Sequence, residues 1–207
     1  KDYLDASIKN VIKTLFEAII LVILVVYVFL QSFRSTFIPA ISIIVSLVGT
    51  FAFLAVAGFS LNMLTLFALV LVIGTVVDDA IVVVEAVQAK FDEGYKSPYL
   101  ATINAMGGIT SALVTTTFVF MAVFIPVSFM GGTTGTFYTQ FGLTMAVAVG
   151  ISLLNAMTLS PALCALIMTP HGDVKQGEKM SFSSRFHIAF DTAFHRVVMK
   201  YKGGVFF

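Results

Sequence analysis

The chain has 207 residues, 58% of them hydrophobic and only 11% charged, where soluble domains carry roughly 25% charged residues. Its mean hydropathy of +1.00 is that of a membrane protein. The formal net charge of +1 comes from scattered basic residues that form no phosphate-binding stripe, which excludes a nucleic-acid partner.

Crossing a bilayer takes about 20 mainly apolar residues in a helix. Five stretches qualify: Leu15–Leu30, Phe37–Ala57, Met63–Val84, Ile109–Met130 and Phe141–Met168. Runs this long do not read as the short alternating strands of a barrel, and a helix satisfies its own backbone hydrogen bonds in lipid. The expected fold class is therefore an all-α membrane protein, a bundle of five transmembrane helices over residues 1–169.

The first two spans are separated by "QSFRST", and Pro39 is expected in the first turn of its helix, where a missing amide proton costs little. The break "AGFSLN", with Gly58 and Asn62, leads into the third span. That span holds two adjacent acids, Asp78 and Asp79, in "IGTVVDDAIVVVE". Taken as Met63–Val84 it is about 33 Å long, which puts the pair about 6 to 8 Å from its centre. An ionised Asp at mid-membrane costs about 2.5 to 3.5 kcal/mol on insertion scales, so two of them require a function.

Adjacent helical residues point about 100° apart, so both carboxyls can reach a bundle interior without facing one another. Gly74, one turn before Asp78, would let a neighbouring helix approach, and the Thr75 hydroxyl would donate to Asp79. Glu85 shares the face of Asp78 but falls near the expected helix end, where water reaches it. Two carboxyls this close in a low dielectric resist double ionisation. No Lys or Arg lies inside any span, so either the pair holds a proton or a basic partner comes from elsewhere. Both options suit groups that bind and release protons.

"EGYKSP" precedes the fourth span and the glycine-rich "GGTTGTFYTQ" follows it. The latter lacks the Gly-Lys-Ser/Thr ending of a phosphate loop and reads as a turn. Pro126 and Pro161 each remove a hydrogen bond, to Ala122 and Met157 respectively, so kinks are expected in the fourth and fifth spans. Asn155 in the fifth span is either a polar group facing the aspartates or a helix-to-helix bond. Cys164, the single cysteine, reads as a small buried side chain.

Residues 170–181 form a polar linker, and 182–202 carry apolar residues three and four apart, among them Phe182, Phe186, Phe190 and Phe194. This segment reads as an amphipathic helix, lying either in the membrane interface or against a soluble domain. Residues 203–207 read as the start of a further apolar segment. His171, His187 and His195 lie in this tail, and the spacing of the last two does not suit an i, i+4 metal pair, so no metal site is expected.

Nine of the twelve basic residues, from Arg34 to Lys202, fall on one side of the predicted bundle. That side is read as cytoplasmic and the N-terminus as outside. The first thirteen residues show neither a signal-peptide pattern nor an earlier span to carry them across, so the chain reads as part of a longer one.

The stretches "FEAIILVILVVYVFLQSFRSTFIP", "GFSLNMLTLFALVLVIGTVVDDAIVVVE", "FGLTMAVAV" and "LSPALCA" together resemble the second to sixth transmembrane helices of the resistance-nodulation-division exporters, in their hydrophobe and amphiphile branch. The resemblance covers nearly the whole chain in order. It implies a homotrimeric, multi-pass pump of the bacterial inner membrane that exchanges drugs or other amphiphiles for protons, joined to a periplasmic adaptor and an outer-membrane channel. It also implies that Asp78 and Asp79 are proton-relay aspartates whose basic partner lies on a helix of the pump's second half. No cofactor is implied, since the proton gradient supplies the energy, and the nine methionines then read as core filler. Two positions depart from the pattern: Thr139 stands where relatives often carry Arg, and Asn155 where many have an aliphatic residue.

Two other classes compete. An intramembrane aspartyl protease also uses two carboxyls, one as acid and one as base, but takes them from two helices, with one in a Gly-x-Gly-Asp setting. A non-transporting helical assembly subunit would keep its function when both aspartates are neutralised.

Overall fold

Polar caps and left-handed glycines set the helix boundaries. In this computed structural model residues 2–30, 32–59, 62–132 and 135–170 are described, and they form six helices. These are α1 Asp2–Leu30, α2 Phe33–Val56, α3 Met63–Asp92, α4 Pro98–Val127, α5 Gly135–Met157 and α6 Leu159–Ile167. The linker, the amphipathic helix, the final apolar segment and the three histidines expected beyond Pro170 lie outside the described residues. Five stretches are long and apolar enough to cross a membrane: Ile12–Leu30, Phe33–Val56, Met63–Asp92, Pro98–Val127 and Gly135–Ile167. The chain is a multi-pass, all-helical membrane protein.

The break before α3 is closed by Asn62, whose Oδ1 accepts from Leu64 N and Thr65 N at 2.9 Å each, while Thr65 Oγ1 accepts from Asn62 N at 3.0 Å. This capping box satisfies amides that the first helical turn otherwise leaves unpaired. Both α2 and α3 stop at a glycine with positive φ, Gly58 at 70° and Gly94 at 102°. At each, two backbone bonds return to the last turn: Phe59 N to Leu54 O and Gly58 N to Ala55 O, then Tyr95 N to Lys90 O and Gly94 N to Phe91 O. That pattern is the Schellman stop, for which a residue without a Cβ is favoured.

Several boundaries differ from those expected from hydropathy. Helix α4 starts at Pro98 rather than Ile109, because Ser97 accepts from Leu100 N as N-cap and Pro98 fits the first helical position. Helix α3 runs to Asp92 rather than Val84, so Glu85 is exposed but not near a helix end. Each of these helices has 30 residues, about 45 Å at 1.5 Å per residue, and so exceeds a hydrocarbon core of about 30 Å. The charged residues of these two helices beyond the central aspartates and Glu85 gather where α3 ends and α4 begins, around the Lys90–Glu93 ion pair.

The prolines also shift in meaning. With Ser32 as the N-cap of α2, Pro39 lies inside the helix and not in its first turn. Pro126 is the penultimate residue of α4, and the chain tightens there through Ser128 N to Ile125 O and Phe129 N to Pro126 O, so Pro126 ends the helix instead of kinking it. Pro161 acts as expected. The fifth span breaks at Thr158, and α6 restarts with Pro161 in its first turn.

Among the described helices α3 is the one that packs against all the others. Leu69, Val72, Ile73, Val76 and Val77 join α1, α2 and α5 in one core, and Val83, Val84 and Val87 join α4, α5 and α6 in a second. Lipid tails are as apolar as these side chains, so association rests on close packing and on hydrogen bonds between helices. Two such bonds tie α2 to the broken fifth span: Asn155 Nδ2 donates to Ser46 Oγ at 2.7 Å, and the hydroxyls of Ser42 and Ser160 lie 3.0 Å apart.

Candidate functional site

Burying one side of α3 against five helices leaves a stripe for the other. Phe67, Leu71 and Val82 on that stripe are exposed, as are Gly74, Asp78 and Glu85, and their spacing of three and four residues marks one helix face. Asp78 lies fifteen residues after Met63 and fourteen before Asp92, at the middle of α3. Asp79, rotated by about 100°, turns toward α5 and is half-buried.

The hydroxyl of Ser152 on α5, itself 1% exposed, donates to Asp79 Oδ2 at 2.6 Å. That length falls in the range of a charge-assisted O–H···O⁻ bond. Ionised, the carboxyl accepts from Ser152; protonated, it can still accept on one oxygen and donate from the other. The bond therefore anchors Asp79 in either state, while Asp78 remains free of that anchor. Among the described residues the ion pairs are Lys13–Glu17 and Lys90–Glu93, so neither central carboxyl has a cation from these helices.

The pair opens on a cavity of about 220 Å³ between α3 and α4, lined also by Thr75, Thr116, Thr117 and Phe120. Thr117 is 2% exposed, and its Oγ1 is the one buried side-chain oxygen among the described residues without a hydrogen-bond partner. Leaving such a group unpaired costs about 1 to 3 kcal/mol.

Asp78 and Asp79 thus line one cavity, and the residues expected to support them divide. Thr75 lines the cavity, but its hydroxyl donates to Val72 O at 2.9 Å and not to Asp79, because the carbonyl of its own preceding turn is within reach. Gly74 receives no neighbouring helix among the described residues, since no part of another described helix lies within 4 Å of where its Cβ would be; it sits on the outward stripe. Asn155 does not face the aspartates and makes the alternative expected of it, a helix-to-helix bond to Ser46. Thr139 caps the turn after α4, donating to Ser128 O at 2.8 Å. Cys164 is fully buried in α6.

Ser152 and Thr117 were not singled out in the sequence. Their signals are faint: Ser152 precedes Asn155 by three residues, placing both on one side of α5, and Thr117 ends the run "TTT" in an apolar span.

The model of the AcrB/AcrD/AcrF family matches residues 2–207. The multidrug export protein AcrF of Escherichia coli (strain K12) is 48% identical over 189 residues, 91% of this chain and 18% of that protein. The multidrug resistance protein MdtF of the same strain is 47% identical over 191 residues, 91% of this chain and 18% of that protein. The toluene efflux pump membrane transporter TtgB of Pseudomonas putida is 47% identical over 199 residues, 96% of this chain and 19% of that protein. The chain thus spans less than a fifth of the length of these curated relatives.

Proposed function

Because the chain belongs to the AcrB/AcrD/AcrF family of resistance-nodulation-division efflux transporters, we propose that Asp78 and Asp79 are the proton-relay carboxyls of a drug/proton antiporter. In this reading the chain is one transmembrane portion of a homotrimeric pump in the bacterial inner membrane, with its N-terminus periplasmic. The pump joins a periplasmic adaptor and an outer-membrane channel. Residues 1–169 form the membrane bundle, followed by a cytoplasmic linker and an interfacial helix. The proton gradient is the energy source, and no cofactor takes part.

The observation that carries the reading is the environment of the pair. Two carboxyls lie midway along the helix that touches every other described one, Asp79 anchored to α5 through Ser152 and Asp78 on a stripe that no described residue covers. A basic side chain from a helix of the second half, laid along that stripe, would pair with the ionised state and lose its partner on protonation. A proton drives a change only if it is bound differently in two conformations, and in this reading the difference comes from movement of α3 against α5 that makes or breaks the Ser152–Asp79 bond. Substrates are those of the family named in its relatives, drugs and organic solvents.

The test is efflux by the full-length pump carrying Asp78→Asn or Asp79→Asn, which keep shape and remove the ionisable group. Efflux should vanish while expression and trimer assembly persist. Normal efflux in the double variant would instead support a non-transporting assembly subunit. The aspartyl-protease reading has no support in the geometry, since both carboxyls come from α3 and the relatives are efflux transporters.

A further inference from the structure

Helix α4 carries three consecutive threonines, and they do not behave alike. Thr115 donates to Ser111 O at 2.8 Å and Thr116 to Ala112 O at 2.5 Å, the usual way a hydroxyl satisfies itself inside a membrane helix. Thr110, earlier on the same helix, does likewise with Met106 O. Thr117 does not use the equivalent carbonyl of Leu113; its hydroxyl is buried and unpartnered, and the residue is one of those lining the cavity that also holds Asp78 and Asp79. A buried polar atom beside a cavity that is mainly apolar but carries two carboxyls, with room for several waters, marks a place where water completes the hydrogen bonding.

We propose that Thr117 holds ordered water in this cavity, and that this water is the route by which protons reach the aspartate pair from the α4 side. The inference rests on the proton-relay reading and adds to it a positioning residue outside the carboxyl pair. A hydrated proton passes through the held water to a carboxylate oxygen of Asp78 or Asp79; the carboxylate becomes the neutral acid and the water is left uncharged. Release reverses the transfer, and nothing is oxidised or reduced. Titratable groups lining the cavity are Asp78 and Asp79 themselves, while α4 and α5 contribute hydroxyl, apolar and aromatic side chains. Ser152 donates to Asp79, and among the described residues the Thr117 hydroxyl is the buried side-chain oxygen with no hydrogen bond made.

The experiment compares Thr117→Val, which keeps the shape and removes the hydroxyl, with Thr117→Ser, which keeps the hydroxyl, in the full-length pump reconstituted into proteoliposomes. Proton-coupled transport is followed from acid to alkaline pH, with trimer yield as a check on folding. Thr117→Val should slow transport by about fivefold or more, the loss expected when an ordered water is displaced by a group that cannot replace its bonds. The deficit should be greatest at alkaline pH, where protons are scarce, and Thr117→Ser should restore the parental profile. A Thr117→Val profile that superimposes on the parent, or equal deficits in Val and Ser, would overturn the proposal. Should Thr117→Val fail to assemble, a high-resolution structure of the parental pump decides: water bonded to Thr117 Oγ1 supports the route, and an apolar side chain packed there ends it. Asp79→Asn run in parallel separates the two readings. If it abolishes transport while Thr117→Val is silent, only the water route fails; if it leaves transport intact, the relay reading fails and the route with it.

Discussion

Ser152 and Asp79 are joined across α5 and α3 by a 2.6 Å hydrogen bond in which the buried serine donates. The bond couples the position of the carboxyl to the packing of two helices that share an extensive face, so movement of one helix along the other must break or remake it.

Replacing Ser152 by Ala removes the donor and leaves Asp79 without an anchor on α5. A hydrogen bond to a charged group contributes about 1.5 to 3 kcal/mol, so a relay that depends on the bond should lose about tenfold or more in efflux rate, while Ser152→Thr keeps most of it. Dye efflux from cells expressing the full-length pump, normalised to membrane-inserted protein, checks this. Equal rates in Ser152→Ala and the parent would show that Asp79 needs no anchor from α5.

Asn155, three residues further along α5, gives the opposite expectation. Its amide donates to Ser46 on α2, away from the carboxyls, so Asn155→Ala should weaken packing and spare proton coupling. Hydrogen bonds between membrane helices average about 0.6 kcal/mol in double-mutant cycles. The cycle formed by Asn155→Ala and Ser46→Ala should therefore show coupling of about that size in thermal melting. Efflux per folded trimer should be unchanged.

The contrast between Ser152 and Asn155 shows where sequence reading reaches its limit. The spans were legible because lipid demands long apolar runs, and the stop at Gly58 because few residues accept a positive φ; the stop at Gly94 was not, because α3 continues past the apolar run that ends at Val84. The start of α4 was not, since hydropathy registers what lipid tolerates and not the Ser97–Pro98 cap that begins the helix outside it. Asp78 and Asp79 stood out as charge in an apolar setting. Ser152 and Thr117 did not, because a hydroxyl is cheap in a membrane helix when it bonds its own backbone, and whether it does so depends on rotation and rotamer. Thr75 was read correctly for face and wrongly for partner, for the same reason, while no helix among the described residues approaches Gly74.

Gly142 near the start of α5 tests the close approach of α4. A Cβ there would meet Ser128 Oγ at 2.7 Å, Phe124 O at 2.8 Å and Ser128 N at 3.2 Å, two of which are backbone atoms that cannot rotate away. Gly142→Ala should therefore push apart the end of α4 and the start of α5 at a cost of about 1 to 3 kcal/mol. The melting temperature of the purified full-length pump should fall. An unchanged value would mean that the two helix ends separate freely.

Gly74 allows the uncovered stripe of α3 to be tested in turn. Nothing among the described residues approaches its Cβ position, and on local grounds alone a larger residue would be tolerated, with Ala favoured over Gly in a helix by about 1 kcal/mol. Yet Gly74 lies one turn from Asp78 on the same exposed face, the face along which the proposed basic helix of the second half would lie. Close approach of a second helix favours small residues, so Gly74→Leu should hold that helix away and separate the cation from Asp78. In the full-length pump, efflux should then fall at least as far as in Ser152→Ala, with α3 still inserted and trimers still formed, and Gly74→Ala should lie between Leu and the parent. Parental efflux in Gly74→Leu would mean that the stripe faces lipid, and the partner for Asp78 would then have to approach through the cavity between α3 and α4.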